Sequence, residues 1–323
     1  MILVISLNPA IDRTVTVENF QVGSLNRVVQ VQSAYCGKAI NVARALHTLG
    51  DTVHVLGFAG GEDGRKMASQ LEGLGIANQF VYTQAPMRVN IKIADGVQHT
   101  LTELNEAGAP ISEEHLLAFL KLYHDNITHC QAVVMSGSIP PGVPLDFYAT
   151  LIEIAKGNNI LTVLDSSGQA LLQGVQANPH IIKPNLDELN SLSQHPCESL
   201  SQQLLACEAL VQKGVDQVLL TRGGQGAVCV GLEECLTAQP VDIAHATVKS
   251  TVGAGDCFLA GYLHGIISQG LSNTQALTIA ASCGTAMVQT EGTTIPTAEK
   301  LLHWVTQVKI IGGKYGQSNS TYQ

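Results

Sequence analysis

Apolar runs of strand length alternate with helical periodicity along almost the whole chain, and this rhythm limits the architectures open to it. The strand-length runs are Ile2–Leu7, Thr52–Phe58, Ala132–Ser136, Leu161–Asp165, His180–Lys183 and Gln217–Thr221. Helical spacing lies between them: Met67, Leu71 and Leu74; Phe147, Leu151 and Ile154; Leu200, Leu204, Cys207 and Val211. Gly75, Gly157 and Gly214 follow these segments, where a helix C-terminus needs a residue free to turn left-handed. Strands without polar alternation are buried on both faces. The expectation is an α/β fold with a mostly parallel central sheet flanked by helices.

Two stretches depart from that rhythm. Thr14–Ser33 is β-rich, with Val15, Val17, Val29 and Val31 alternating with polar residues. In Met87–Thr102, Val89, Ile91 and Ile93 point one way and Arg88, Asn90 and Lys92 the other, and Asp95-Gly96 predicts a two-residue hairpin turn. Such strands suit a small accessory sheet with one face packed and the other toward ligand or solvent. The plain alternative is a solvated amphipathic hairpin. The chain carries no internal repeat or low-complexity run, and the polar, glycine-rich segment 311–323 is expected to be disordered.

Charge narrows the function classes. Lys and Arg number 17 against 26 Asp and Glu, a net −9, which argues against nucleic acid or an anionic membrane surface as partner. A phosphorylated small molecule needs only a few local cations and stays open. The eight cysteines form no C-x-x-C pair and read as reduced, mostly buried thiols of a cytoplasmic protein. Met1–Leu7 lacks a basic leader and a cleavage site, so it reads as a first strand. No uncharged apolar run reaches the roughly 18 residues of a membrane span, and a soluble protein is expected.

Several familiar sites are missing. Gly37-Lys38 is followed by Ala39 and Gly313-Lys314 by Tyr315, so no P-loop exists. The first strand runs into Asn8-Pro9-Ala10 rather than G-x-G-x-x-G, Ser136-Gly137-Ser138 lacks the nucleophile-elbow pattern, and no H-E-x-x-H occurs. The strongest positive signal is Thr251-Val252-Gly253-Ala254-Gly255-Asp256, leading into the apolar Cys257-Phe258-Leu259-Ala260-Gly261. A small-residue turn opening a helix aims free N–H groups at an anion such as a phosphoryl group. Asp256 in the first turn could then accept a hydroxyl proton. Its plain alternative is a capped glycine turn. Lys183-Pro184-Asn185-Leu186-Asp187-Glu188 gathers a cation, an amide and a carboxylate at a strand's C-terminal end, where Glu188 could hold Mg²⁺ through water; an ordinary N-capped helix would look the same. Thr221-Arg222-Gly223-Gly224-Gln225-Gly226 is a third, weaker glycine-rich turn.

Taken together, and in this order, these segments resemble the PfkB branch of the ribokinase-like carbohydrate kinases over roughly residues 1–310. The signatures are Asn8-Pro9-Ala10-Ile11-Asp12, Cys36-Gly37-Lys38-Ala39-Ile40-Asn41-Val42-Ala43 and Thr251–Gly261. Met87–Lys92, Thr102–Glu106, Ser136–Gly142 and Lys183–Glu188 are most similar to the subgroup of 1-phosphofructokinases and tagatose-6-phosphate kinases. The resemblance implies a three-layer domain over 1–310, with a β-sheet lid from strands within about 12–33 and 87–103 that in many members is also the dimer contact. It implies ATP and Mg²⁺, and phosphorylation of fructose 1-phosphate or tagatose 6-phosphate at the free primary hydroxyl. The alternatives are fructose 6-phosphate or an unphosphorylated sugar as acceptor, or a sugar-phosphate-binding regulator without catalysis.

Residue roles follow from the same resemblance. Gly253, Ala254 and Gly255 would form the anion hole and Asp256 the base. Asp12, Asn41, Asn90 and Ser138 would lie along the sugar, with Gly37 allowing close approach, and Arg88 with Lys38 would clamp the substrate's own phosphate. Lys183 and Asn185 would meet ATP phosphates, Glu188 the metal, and Thr221, Gly223, Gly226 and Cys283 would border the nucleotide. The family pattern Gly-Gly-Lys-Gly-Ile-Asn is broken by Cys36 and Ala39. If either position needed positive φ, or backbone against the sugar, the added Cβ would cost about 1 kcal/mol or narrow the pocket. Ala39 is accordingly expected on the turn that faces the sugar.

Overall fold

The computed structural model describes residues 1–193, 195–243, 248–290 and 292–314. The first half runs β1 (Ile2–Ser6), β2 (Ala10–Val17), β3 (Val28–Cys36), α1 (Lys38–Thr48), β4 (Val53–Gly60), α2 (Gly61–Gly73), β5 (Ala77–Thr83), β6 (Arg88–Asp95), β7 (Thr100–Asn105), α3 (Glu113–Ile127) and β8 (Ala132–Ser136). The second runs α4 (Phe147–Gly157), β9 (Leu161–Asp165), α5 (Gly168–Val175), β10 (Ile181–Ile182), α6 (Leu186–Leu192), α7 (Leu200–Gln212), β11 (Gln217–Thr221), β12 (Ala227–Gly231), β13 (Glu234–Ala238), α8 (Ala254–Leu263), α9 (Asn273–Val288), α10 (Ala298–Leu301) and β14 (Ile310–Lys314).

Ten strands form one sheet in the order β14-β13-β12-β11-β10-β9-β8-β1-β4-β5. From β5 to β11 every pairing is parallel, and β12, β13 and β14 extend the edge antiparallel. Alternate residues of β1 serve two cores. Ile2 and Val4 pack beneath α1, α8 and α9, while Leu3 and Ile5 pack beneath α3 and α4. Sandwiched strands must be apolar on both faces, which is why their sequences read as unbroken apolar runs. Winding proceeds from β1 to β4 and β5 in one direction, and from β8 to β11 in the other. The order therefore switches beside β1, and a crevice opens at the strands' C-terminal ends.

A second, four-stranded sheet in the order β3-β2-β6-β7 is built from two excursions of the chain, β2–β3 between β1 and α1 and β6–β7 between β5 and α3. Its polar face is the buried one: Asp12, Asn90 and Lys92 are 7%, 9% and 6% exposed, turned inward, while Val29, Val31 and Leu104 lie open to solvent. The accessory sheet anticipated from the alternation is present, with its polar face buried. Asp95 ties its two hairpins together. The Asp95 carboxylate accepts N–H bonds from Val97 and Gln98 within one hairpin and from Asn19 and Phe20 of the other, at 2.6–3.1 Å. Burial works against its charge, and these four donors outweigh that and hold its pKa below the usual value.

Three expectations are corrected. Asp95 pairs with Thr100, so residues 96–99 form a four-residue loop in place of the two-residue turn, because the Asp95 side chain is used to cap loop N–H groups. Gly157 is the last helical residue of α4, and Asn159 takes the left-handed position with φ 56°. Residues 311–314 are ordered as part of β14, paired with β13, with Gly312 at φ 101° and too close to the Cys235 carbonyl for a side chain. The rest of the expected disordered segment, 315–323, lies outside the described residues. Asp95→Ala should raise amide exchange at Phe20, Val97 and Gln98 at least tenfold while β1 and β4 stay protected; unchanged exchange in hydrogen–deuterium measurements would contradict the tie.

Candidate functional site

Two strands of the large sheet and the start of α1 deliver polar residues to the same crevice. Asp165, at the end of β9, has no exposed surface, and its Oδ1 lies 3.2 Å from Lys183 Nζ and 3.1 Å from Lys38 Nζ. Lys183 follows β10 and Lys38 begins α1. Desolvation alone would raise the Asp165 pKa, but the two ammonium groups hold it below the ordinary value. Burial likewise opposes the charge on Lys38, yet Asp165, Glu188 and Asp256 together raise its pKa.

The glycine turn predicted to face an anion does open a helix. Gly253 is the left-handed N-cap of α8, φ 77°, and a Cβ there would meet the side chain of Met287 at 3.2 Å. A Cβ on Gly255 would meet Lys183 Nζ at 3.3 Å, so Lys183 sits against the first turn, where N–H groups lack helical partners. Asp256, also in that turn, is 6% exposed. Asn41 Nδ2 donates to its Oδ2 at 2.8 Å, and among the described residues Oδ1 accepts nothing. Burial and the nearby Asp165 charge push the Asp256 pKa up to about 6, against the pull of Lys38, Asn41 and Lys183. A carboxylate of that pKa is ionised at neutral pH and can still take a proton.

The small sheet supplies the opposite wall. Asp12 Oδ1 accepts from Asn90 Nδ2 at 2.9 Å and Oδ2 pairs with Lys92 Nζ at 2.5 Å. Arg88 donates to the carbonyls of Asn8 and Glu106 and to Asn90 Oδ1, leaving Nη2 without a partner among the described residues. Ser138 accepts from Asn8 Nδ2 at 3.0 Å, which places it beside Arg88's anchor. Gly37, φ 133°, passes so close to Pro9 that a Cβ would sit 3.4 Å from its Cα.

At the other end, Asn185 caps α6. Its Oδ1 accepts from Glu188 N–H, and Glu188 Oε2 accepts from Asn185 N–H, leaving Oε1 3.5 Å from Lys38. The ordinary capped helix is thus real, and Glu188 still turns one oxygen to the crevice. Thr221 bonds the Pro184 carbonyl beside it; Gly223 and Gly226 shape the next turn, with a Cβ on Gly226 only 2.2 Å from the Ala238 carbonyl.

The expected two-cation clamp is not assembled. Lys38 and Arg88 share no partner among the described residues: Lys38 joins Lys183 around Asp165, and Arg88 stands with Asn90, because the Asp165 and Glu188 carboxylates draw the Lys38 ammonium the other way. Cys283 is fully buried in α9, where a Cβ on Gly261 of α8 would meet its sulfur at 2.8 Å, so it packs helices together and does not border the crevice. Cys36 ends an extended strand and Ala39 lies in the first turn of α1; neither has positive φ, so neither substitution strains the backbone. Ala39 packs in the core, 2% exposed, and does not face the crevice. Sequence reasoning passed over Asp165 and Lys92. Asp165 carried a usable signal, an acid ending an apolar strand.

Truncating Asp165 would leave Lys183 buried without its counter-charge. Asp165→Ala should cost about 3–5 kcal/mol in denaturant unfolding at neutral pH. Since the folded pKa is depressed, the difference from wild type is full above about pH 4 and shrinks as acid protonates the carboxylate. A loss under about 1 kcal/mol would contradict the pairing.

Comparison with known proteins places the chain in a family. The model of the pfkB family carbohydrate kinases matches residues 1–300. The 1-phosphofructokinase of Bacillus subtilis is 32% identical over 310 residues, covering 96% of this chain and 99% of its own length. The tagatose-6-phosphate kinase of Staphylococcus epidermidis is 34% identical over 276 residues, 83% of this chain and 86% of its own. Phosphofructokinase-2 of Escherichia coli, solved with substrates and products, superposes with a TM-score of 0.86 at 25% identity, over 94% of this chain and 98% of its own. The chain belongs to the pfkB family of carbohydrate kinases.

Proposed function

We propose that this chain transfers the γ-phosphoryl group of ATP to the free primary hydroxyl of a ketohexose monophosphate, giving the bisphosphate and ADP. The carrying observation is Asp256: a buried carboxylate poised near neutrality, in the first turn of a helix whose N–H groups and neighbouring Lys183 favour an anion. The names of the relatives, 1-phosphofructokinase and tagatose-6-phosphate kinase, support the acceptor class. Phosphoryl transfer asks for positioning and charge stabilisation, which two lysines, a helix start and one base supply.

The acceptor hydroxyl gives its proton to Asp256 Oδ1 as its oxygen bonds to the γ-phosphorus. The bond from that phosphorus to the β-bridging oxygen breaks and ADP leaves. Gly253, Ala254 and Gly255 line the developing charge, with Lys183 and Lys38 beside them. Arg88, through Nη2, which has no partner among the described residues, holds the substrate's own phosphate, near Ser138, and Asp12, Asn90 and Lys92 read the hydroxyls between the two ends. Asn185 and Thr221 border the ATP phosphates, and Gly223 and Gly226 the turn over the nucleotide. Among the described residues no group of three or more His, Cys, Asp or Glu could hold a metal by itself. Glu188 Oε1, which faces the crevice and lies 3.5 Å from Lys38, fits Mg²⁺, an ion that retains waters and phosphate ligands. Bound there, the ion would neutralise phosphate charge.

The solvent-facing apolar surface of the small sheet, with Val29, Val31 and Leu104, suits a second copy of the chain, so a dimer through the lid is part of the reading. Eight free, buried cysteines fit a reducing, cytoplasmic setting, and no described helix is long and apolar enough to cross a membrane.

ADP release should be measured with saturating Mg-ATP and fructose 1-phosphate, tagatose 6-phosphate, fructose 6-phosphate or fructose. Turnover of the first two within about a hundredfold of each other is expected, since one inverted hydroxyl is worth roughly 10- to 100-fold. Use of fructose alone would overturn the phosphate-binding assignment. Asp256→Asn should keep ligand binding and lower kcat roughly 10²- to 10⁴-fold. Wild-type kcat/KM should fall on acidification below about pH 6, as Asp256 takes up its proton. A variant above half of wild-type kcat, or activity flat to pH 5, removes Asp256 from the role.

A further inference from the structure

We infer that Cys36 is a positioning residue, acting through Asn41 to keep the Asp256 carboxylate oriented and ionised. The inference rests on the assignment of Asp256 as base. Cys36 replaces a glycine of the family pattern, so this device is a property of this chain's own sequence.

The contacts form one directed chain. Cys36 Sγ lies 3.2 Å from Asn41 Oδ1, and Asn41 Nδ2 lies 2.8 Å from Asp256 Oδ2. An amide presents one accepting and one donating end. A thiol donating to Oδ1 therefore fixes the N–H end toward Asp256, where an ionised carboxylate needs a donor. The reversed amide would set two oxygens against each other whenever Asp256 is charged. It becomes favourable only when Asp256 is protonated, that is, when it is no longer a base. Cys36 can act as a steady donor because it keeps its proton: burial, then the charge of Asp12, pushes its pKa up to about 12. Its place is rigid as well. It ends β3, paired with Ala10, and is 2% exposed.

Other groups act on the Asp256 carboxylate at the same time. Asp165 from β9 raises its pKa, while Lys38 from α1 and Lys183 after β10 lower it along with Asn41. None of these fixes the Asn41 amide. Residue 36 can therefore be changed while the charged groups around Asp256 stay in place. With glycine at this position nothing would donate from the strand to Oδ1, and the amide would be free to turn.

Carboxyl ¹³C NMR on aspartate-labelled protein reads the effect without requiring turnover, with Asp256→Asn assigning the resonance. Cys36→Ala and Cys36→Val both lack the donor, and Val refills the thiol's volume. Each should move the Asp256 titration to higher pH than wild type. Cys36→Ser, which restores a donor, should titrate as wild type does. In steady-state assays Ala and Val should lose roughly 3- to 10-fold in kcat, the worth of one ordinary hydrogen bond, with KM for ATP unchanged and Ser near wild type. An unshifted titration in either donor-less variant overturns the inference, as does a Ser variant that shifts as far as Ala. If wild type releases no ADP with any sugar phosphate, the kinase reading fails, and the titration still decides whether Cys36 acts on Asp256.

Discussion

A carboxylate with no exposed surface, Asp165, sets the terms for everything around the crevice. Removed from water, it requires compensation, and the fold supplies two ammonium groups, from the start of α1 and from the end of β10. Those lysines come from opposite sides of β9 and draw α1 and the β10–α6 connection to one point. The same buried charge repels the Asp256 carboxylate and helps lift its pKa to about 6. One group therefore fixes the cations and tunes the Asp256 carboxylate.

The layer architecture was legible because strands buried on both faces have to be apolar throughout, as Leu3 and Val4 show by facing opposite cores. The α8 turn was legible for a related reason: Gly253 needs positive φ, and Gly255 needs room for Lys183. Partnerships across strands were harder to see. Nothing local in Leu161–Asp165 reveals that two distant lysines converge on Asp165. Lys38 was therefore assigned to a clamp with Arg88, when competing carboxylates pull it elsewhere. The alternation in β6 exposed two faces but not which one is covered, because that depends on Asp12 of β2 waiting for Asn90 and Lys92.

The accessory sheet reverses the usual relation of surface and core. Its polar side, with Asp12, Asn90 and Lys92, is buried, and Val29, Val31 and Leu104 face outward. That inversion is stable only if the polar groups satisfy one another, as Asp12, Asn90 and Lys92 do, and if the two hairpins stay joined, as Asp95 ensures. At the junction between this sheet and α1, the departures from the family's glycines separate into two kinds. Ala39 adds packing to the core, whereas Cys36 adds a hydrogen-bond donor to Asn41, the partner of the Asp256 carboxylate.

Phosphorus NMR of the protein with Mg-ATP and fructose 1-phosphate tests the central claim most directly, since it reports where the phosphoryl group goes. The account predicts that the γ-phosphate signal of ATP disappears as ADP signals and a second phosphomonoester resonance, split by the protons of a primary CH₂, grow in equal amount. Growth of inorganic phosphate in place of that ester, or an unchanged spectrum with tagatose 6-phosphate as well, would contradict it.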